Sequence, residues 1–218
     1  MKLFQIVCAV SVTLGLGACI PTQVKPVETD AQGAMQANDR TVQFHVSEAY
    51  YQNAPDCAII KPIIGNGPTE LTRFVEKSVA RQLTGKVERV ITPLRRDRLA
   101  RKNGYDLSTP ADFKSFARTQ RCAYHVTIEL QGSGDQYAVI WSDKHVGVKM
   151  ELLKTRTDEV LWRGAHVARR GDGGVPLSPL SILANAAKAA SFSADTGLVY
   201  SIANDAVRRI LTTLPDIR

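Results

Sequence analysis

Residues 57–91 read CAIIKPIIGNGPTELTRFVEKSVARQLTGKVERVI, and this stretch decides the fold. Residues 57–63 are a nearly continuous apolar run, which suits a central strand covered on both faces. Gly65, Asn66 and Gly67 end it, and Pro68 is a good first helical residue. Leu71, Phe74, Val75, Val79 and Leu83 then recur at steps of three and four, so an amphipathic helix is predicted to end near Gly85. A brief strand follows over 87–91. Strand, helix and strand at this spacing predict a right-handed parallel crossover.

Working outward toward the C-terminus, Thr92-Pro93 opens a second helix that stops at Asn103-Gly104, and Thr109-Pro110 opens a third with Phe113, Phe116 and Ala117 on its apolar side. The chain then alternates: a strand over 122–130, a turn at Gly132-Ser133-Gly134-Asp135, a strand from Tyr137 to Trp141, strict alternation through Val146, Val148, Met150 and Leu152, a polar turn over 154–159, and the strand VLWRGAHVA. This is an antiparallel meander. Residues 171–179 break the pattern, 180–190 are rich in small apolar residues, and 198–214 repeat Ile202, Ala203, Ala206, Ile210 and Leu211 on one helical face that should cover the sheet. Toward the N-terminus, Val42, Phe44 and Val46 alternate with polar neighbours as a short, half-buried strand. The expected fold class is therefore α/β (α+β): a mixed sheet with an N-terminal parallel β-α-β unit, an antiparallel meander and a C-terminal helix packed on it.

The first residues, MKLFQIVCAVSVTLGLGA, set Lys2 before an apolar run and end in the small pair Gly17-Ala18. That pattern is a secretory signal peptide over 1–18, because the run is shorter than the roughly 20 apolar residues of a spanning helix. Leu16-Gly17-Ala18-Cys19 resembles the lipobox of bacterial lipoproteins, in which the cysteine is acylated and becomes residue one. Cys19 is thus the expected lipidation site and the membrane is met through a lipid anchor, each buried methylene contributing ~0.8 kcal/mol. By analogy with bacterial sorting rules, Ile20 after that cysteine favours the outer membrane, periplasmic face. Residues 19–40, with Pro21 and Pro26 and no sustained period, are expected to be a flexible tether, and 41–218 a single globular α/β domain.

Net charge is +7, and +6 once Lys2 leaves with the signal. Between Lys86 and Arg118 nine Lys or Arg stand against four Asp or Glu, so most of the excess sits in one segment that an electrostatic partner should meet. Arg95, Arg96, Arg98, Arg101 and Lys102 crowd one helix, with Leu94 and Leu99 expected to face inward. Two readings stay open: a solvated helix face, or attraction to anionic head groups, acidic polysaccharide or an acidic partner at ~1 kcal/mol per positive residue near a membrane surface. Nucleic acid would fit the charge but not an extracytoplasmic compartment.

Chemistry-bearing motifs are sparse. GNGPTE between strand and helix has the setting of a dinucleotide loop, yet Glu70 stands where a third glycine would, and a carboxylate there repels a pyrophosphate. An ordinary strand-to-helix turn is the better reading. His45, His125, His145 and His166 are dispersed, so core or surface roles are favoured over a catalytic triad. There is no CxxC and no Cys/His cluster with metal spacing, so no cofactor, metal or catalytic residue is assigned. Cys8 leaves with the signal, and Cys57 and Cys122 remain in an oxidising compartment, either as a disulfide or as two buried reduced thiols.

Taken together, Arg101-Lys102-Asn103-Gly104-Tyr105, the strand from Ala123 to Leu130, Met150-Glu151-Leu152-Leu153, and the block from Asp158-Glu159 through Trp162-Arg163-Gly164 resemble the bacterial lipoprotein family that includes a small neisserial surface antigen. More distantly the layout is similar to the curli-secretion channel lipoprotein, the lipoprotein of Pel exopolysaccharide export and the amino-terminal domain of the Tol-Pal translocation protein. The resemblance implies an anticodon-binding-like α/β fold and a periplasmic accessory or assembly component working with envelope protein partners, homo-oligomeric rings among its forms. It carries over no catalytic residue. If 57–63 and 122–130 are the first and third strands of a parallel unit, crossover rules and the resembling fold set them side by side, each cysteine directly before an alanine at its strand's start, which favours a Cys57–Cys122 bridge. A non-enzymatic accessory in export, surface polymer or cell-wall synthesis is the first functional expectation, and a periplasmic hydrolase with an unrecognised active site is the alternative.

Overall fold

The computed structural model describes residues 22–26, 41–64, 68–138, 141–173, 191, 195 and 197–216. In chain order the elements are β1 (Gln23–Pro26), β2 (Thr41–Val46), α1 (Glu48–Gln52), β3 (Cys57–Ile60), α2 (Thr69–Leu83), β4 (Arg89–Ile91), α3 (Pro93–Asn103), α4 (Pro110–Thr119), β5 (Tyr124–Ala138), β6 (Trp141–Lys154), β7 (Val160–Gly173) and α5 (Gly197–Leu211). Among the described residues the strands form one seven-stranded mixed sheet in the order β1-β2-β7-β6-β5-β3-β4. The pair β3–β4 is parallel, as is β3–β5, and β5, β6 and β7 form an antiparallel meander. The expected fold class holds.

The apolar run at the start of β3 has a direct structural cause. All four strand residues are fully buried, Ala58 and Ile60 in the core under α2 and α5, Cys57 and Ile59 in a second core under α3 and α4. A strand covered on both faces needs apolar residues at every position. The larger core gathers Leu71, Val75, Val79 and Leu83 of α2, Ile202, Ala206 and Ile210 of α5, and the alternate residues Val146, Val148, Met150 and Leu152 of β6. Deleting one large side chain here, as in Leu83→Ala, is worth roughly 2 to 5 kcal/mol. The smaller core holds Ile91, Leu107, Phe113 and Phe116. Its helix α3 ends at Gly104, whose φ of +70° supplies the left-handed stop.

Three expectations change. The glycine-rich stretch 132–135 is not the hairpin turn; β5 runs through it to Ala138, and the register shifts between Leu130 and Ser133. Glycine serves a bulge as readily as a turn. A Cβ on Gly147 of β6 would come within 2.1 Å of the Gln131 carbonyl oxygen, so the bulge presses against a residue that has no side chain. Second, Gln23–Pro26, inside the span expected to be an unstructured tether, forms an exposed edge strand parallel to β2. Third, Leu94 does not face inward: it is 67% exposed, and Arg96 is turned into the protein instead. The small-residue stretch at 180–190 lies outside the described residues, as do Cys19 and the rest of 1–21.

Candidate functional site

Helix α3 splits the basic cluster read from the sequence. Arg95, Arg98, Arg101 and Lys102 are exposed, and none has a carboxylate partner among the described residues. Leu94 shares their face, because positions 94, 95, 98, 101 and 102 recur at helical spacing. Arg96 is different. It is 3% exposed and donates to the Ile60 carbonyl at 2.7 Å, to Glu76 at 2.9 Å and to Asp97 at 2.7 Å. Glu76 in turn accepts from the Ile63 backbone N–H at 2.9 Å. Arg96 therefore ties α3 to α2 over the end of β3, and its burial among these partners removes it from the set that could meet an anionic surface.

Cys57 and Cys122 are joined in a disulfide with Cα atoms 5.6 Å apart, at the starts of the neighbouring parallel strands β3 and β5. Beside it opens a cleft of about 400 Å³ lined by Lys114, Ala117, Arg118, Arg121, Cys122, Ala123, Thr155, Arg156 and Asp56. That volume falls within the range of small-molecule sites, roughly 300 to 1,000 Å³. Its lining is mostly apolar, and four cationic residues, Lys114, Arg118, Arg121 and Arg156, are among those that form it. Lys114 is paired with Asp158 at 2.7 Å, and the same bond lowers the Asp158 pKa below the ordinary carboxylate value. Arg118 donates to the Ser115 hydroxyl at 2.9 Å; Arg118, Arg121 and Arg156 have no carboxylate partner among the described residues. Arg121 holds a left-handed conformation, φ +50°, at the turn after α4, where glycine is the usual occupant. Arg89 clamps that turn by donating to the carbonyls of Gln120 at 2.9 Å and Arg121 at 2.6 Å.

The sequence pointed toward part of this cleft through the basic segment that ends at Arg118. It missed Arg121 and Arg156, since Arg156 belongs to the β6–β7 turn and no local spacing connects that turn to α4. Just inside the cleft wall, His125 is buried, stacks edge-on against Phe113 at 5.1 Å and shares a hydrogen bond with Thr155 at 3.1 Å. Burial, reinforced by Lys61, lowers its pKa to about 4, so it is a neutral packing residue near neutral pH. His145 Nδ1 lies 3.6 Å from Asp143, too far for the hydrogen bond of a hydrolytic pair, and Arg169 donates to the same carboxylate oxygen at 3.1 Å. Glu70, weighed above against a phosphate loop, accepts from Tyr200 at 3.2 Å and links the first turns of α2 and α5. Among the described residues no helix is long and apolar enough to cross a membrane, and no three acidic, histidine or cysteine side chains gather as metal ligands.

No protein-family model and no curated protein matches the chain. Solved structures do resemble it. A lipoprotein from Neisseria meningitidis is 18% identical, covering 73% of this chain and 100% of its own, with a TM-score of 0.49. A PelC dodecamer from Paraburkholderia phytofirmans is also 18% identical, over 82% of this chain and 99% of that one, with a TM-score of 0.47. The C-terminal domain of LpoB from Salmonella enterica is 15% identical over 53% of this chain and 83% of its own, with a TM-score of 0.33. The structural neighbours thus include lipoproteins, the kind of family the sequence resembles.

Proposed function

We propose that this chain is an exported lipoprotein, acylated at Cys19 and held at the periplasmic face of the outer membrane, where it serves an envelope system as a non-enzymatic accessory or assembly component. The observation that carries the reading is Leu16-Gly17-Ala18-Cys19 at the end of an apolar run. The Cys57–Cys122 disulfide supports it, because such bridges persist in oxidising compartments. In this reading the chain between Cys19 and β1 links the anchor to the domain, and envelope proteins or further copies of the chain are the partners. The exposed face of α3, with Leu94 among Arg95, Arg98, Arg101 and Lys102, has the composition of a helix that rests on an anionic head-group layer.

Cells producing the wild-type chain and Cys19→Ser are labelled with a palmitate analogue and their membranes are separated. Label is expected on the wild-type chain alone, in the outer-membrane fraction; equal labelling of both chains overturns the proposal. The α3 face is tested on the mature chain with vesicles of anionic and of zwitterionic lipid. Charge reversal at Arg95, Arg98, Arg101 and Lys102 should weaken the anionic binding, more at low salt than at high. Unchanged binding leaves this face merely solvated.

A further inference from the structure

We propose that the cleft beside the disulfide is a binding site for an organic phosphate, a phosphate group joined to an apolar body. Its lining includes Arg118, Arg121 and Arg156, three arginines with no carboxylate partner among the described residues, while the neighbouring Lys114 is paired with Asp158. Guanidinium forks bind phosphate oxygens in pairs of parallel hydrogen bonds, and a phosphate offers enough oxygens for more than one fork. The exposed lining is mostly apolar, with Ala117, Ala123 and the Cys122 half of the disulfide contributing to it. A bare phosphate would leave that apolar lining unused, whereas a ligand with a short hydrocarbon portion covers it and gains by removing apolar surface from water.

Two features make the site built rather than incidental. Arg121 sits in the left-handed region, which costs a residue with a Cβ roughly 1 to 2 kcal/mol, and the conformation is held by the Arg89 clamp on its carbonyl. The disulfide fastens the starts of β3 and β5, so the lining there does not open or close as the ligand arrives. Asp56 lines the same cleft, an exposed carboxylate that disfavours a second negative group and so selects a compact anionic head.

Calorimetric titration of the mature chain in neutral detergent uses three probes: octyl phosphate, inorganic phosphate and octyl glucoside. Octyl phosphate is expected to bind saturably and at least about tenfold more tightly than either of the others, as one desolvated charge-assisted contact or one buried apolar segment requires. The double change Arg118→Gln with Arg156→Gln should weaken octyl phosphate about tenfold or more, and Arg95→Gln with Arg98→Gln on α3 should leave it unchanged. Arg156→Gln alone, in an exposed turn, provides the same comparison if the double variant does not fold. Equal affinity for octyl phosphate and inorganic phosphate overturns the amphiphilic ligand in favour of free phosphate. Equal affinity for octyl glucoside overturns the role of the arginines, and equal weakening by the α3 changes assigns the effect to general surface charge. Because acylation of Cys19 enters none of these comparisons, the result stands apart from the anchoring proposal.

Discussion

Around β3 helices cover the sheet on both faces, whereas along β6, among the described residues, a helix covers it on one. The first region has α2 on one side and α3 and α4 on the other, and its charged group Arg96 is buried among fixed partners. In the second region Val146, Val148, Met150 and Leu152 face α5, while the alternate positions carry His145, Lys149 and Glu151. Lys149 lies 3.4 Å from Glu151 and 3.9 Å from Glu129, and Glu151 lies 3.9 Å from Arg163. Identical residue types thus have opposite energetic meaning. A charge between two layers must find its partners inside the fold or lose several kcal/mol, whereas Lys149 and Glu151, about a fifth exposed, keep part of their hydration.

The largest break in this comparison is expected at Arg96. Arg96→Glu places a second carboxylate beside Glu76 and strips the Ile60 carbonyl of its donor, so a loss above about 4 kcal/mol is expected, read as a collapsed denaturant midpoint or failure to accumulate. Arg98→Glu, two residues away and exposed, should change stability by no more than about 0.5 kcal/mol. Similar losses at both positions would erase the distinction. Pairing Arg96→Met with Glu76→Met should recover part of the loss, because it removes the unpaired buried charge but leaves the Ile60 carbonyl and the Ile63 N–H without their partners.

Next comes the staple in the doubly covered half. The disulfide closes a loop of 65 residues, and in the chain-entropy model its removal through Cys57→Ala with Cys122→Ala costs about 4 kcal/mol. Thermal unfolding of the two chains measures it. Masses of the unreduced chain after alkylation in denaturant count the thiols, and two labelled cysteines would reject the bridge.

A pH titration sharpens the contrast with a smaller effect. His125 has its pKa lowered from 6.5 to about 4, so an unfolded chain binds a proton near pH 6.5 that the folded chain declines until about pH 4. Stability contributed by the neutral imidazole is therefore complete above about pH 6.5 and is lost as pH falls toward 4, by up to about 3 kcal/mol. Denaturant midpoints at pH 7 and pH 4.5 should differ accordingly, and the non-titrating His125→Gln should flatten that portion of the slope. The smallest effect is expected on the partly exposed face of β6, where Lys149→Ala should cost about 1 kcal/mol, and less in high salt. A loss as large as that at the disulfide would mean that this face is covered too.

Much of this architecture is legible in local pattern. The continuous apolar run at β3, the three- and four-residue steps of α2 and α5, the Thr-Pro starts of α3 and α4 and the alternation of β6 all report burial directly, because backbone geometry repeats every 3.6 or 2 residues. Local pattern fails where one residue type serves two geometries. Gly132 and Gly134 suit a turn or a bulge equally, and only the pairing of Leu130 with Val148 and of Ser133 with Val146 makes the stretch a bulge inside a continuous strand.

The apolar periodicities, the excess of positive charge between Lys86 and Arg118, and the signal-and-cysteine pattern at the start of the chain are all read from the order of residues alone. It could not distribute that charge. Helical spacing alone sets Leu94 and Arg96 on different faces without saying which face meets the protein, and hydrophobicity favours burying the leucine. Tertiary structure reverses that order because the end of β3 presents the Ile60 carbonyl, and α2 the Glu76 carboxylate, at the point where α3 begins. Likewise the cleft exists only where α4, the disulfide and the β6–β7 turn meet. Periodicity is a property of neighbouring residues in the chain, but the partner that makes a buried charge tolerable, or the set of arginines that makes a cleft cationic, comes from segments whose approach is set by packing.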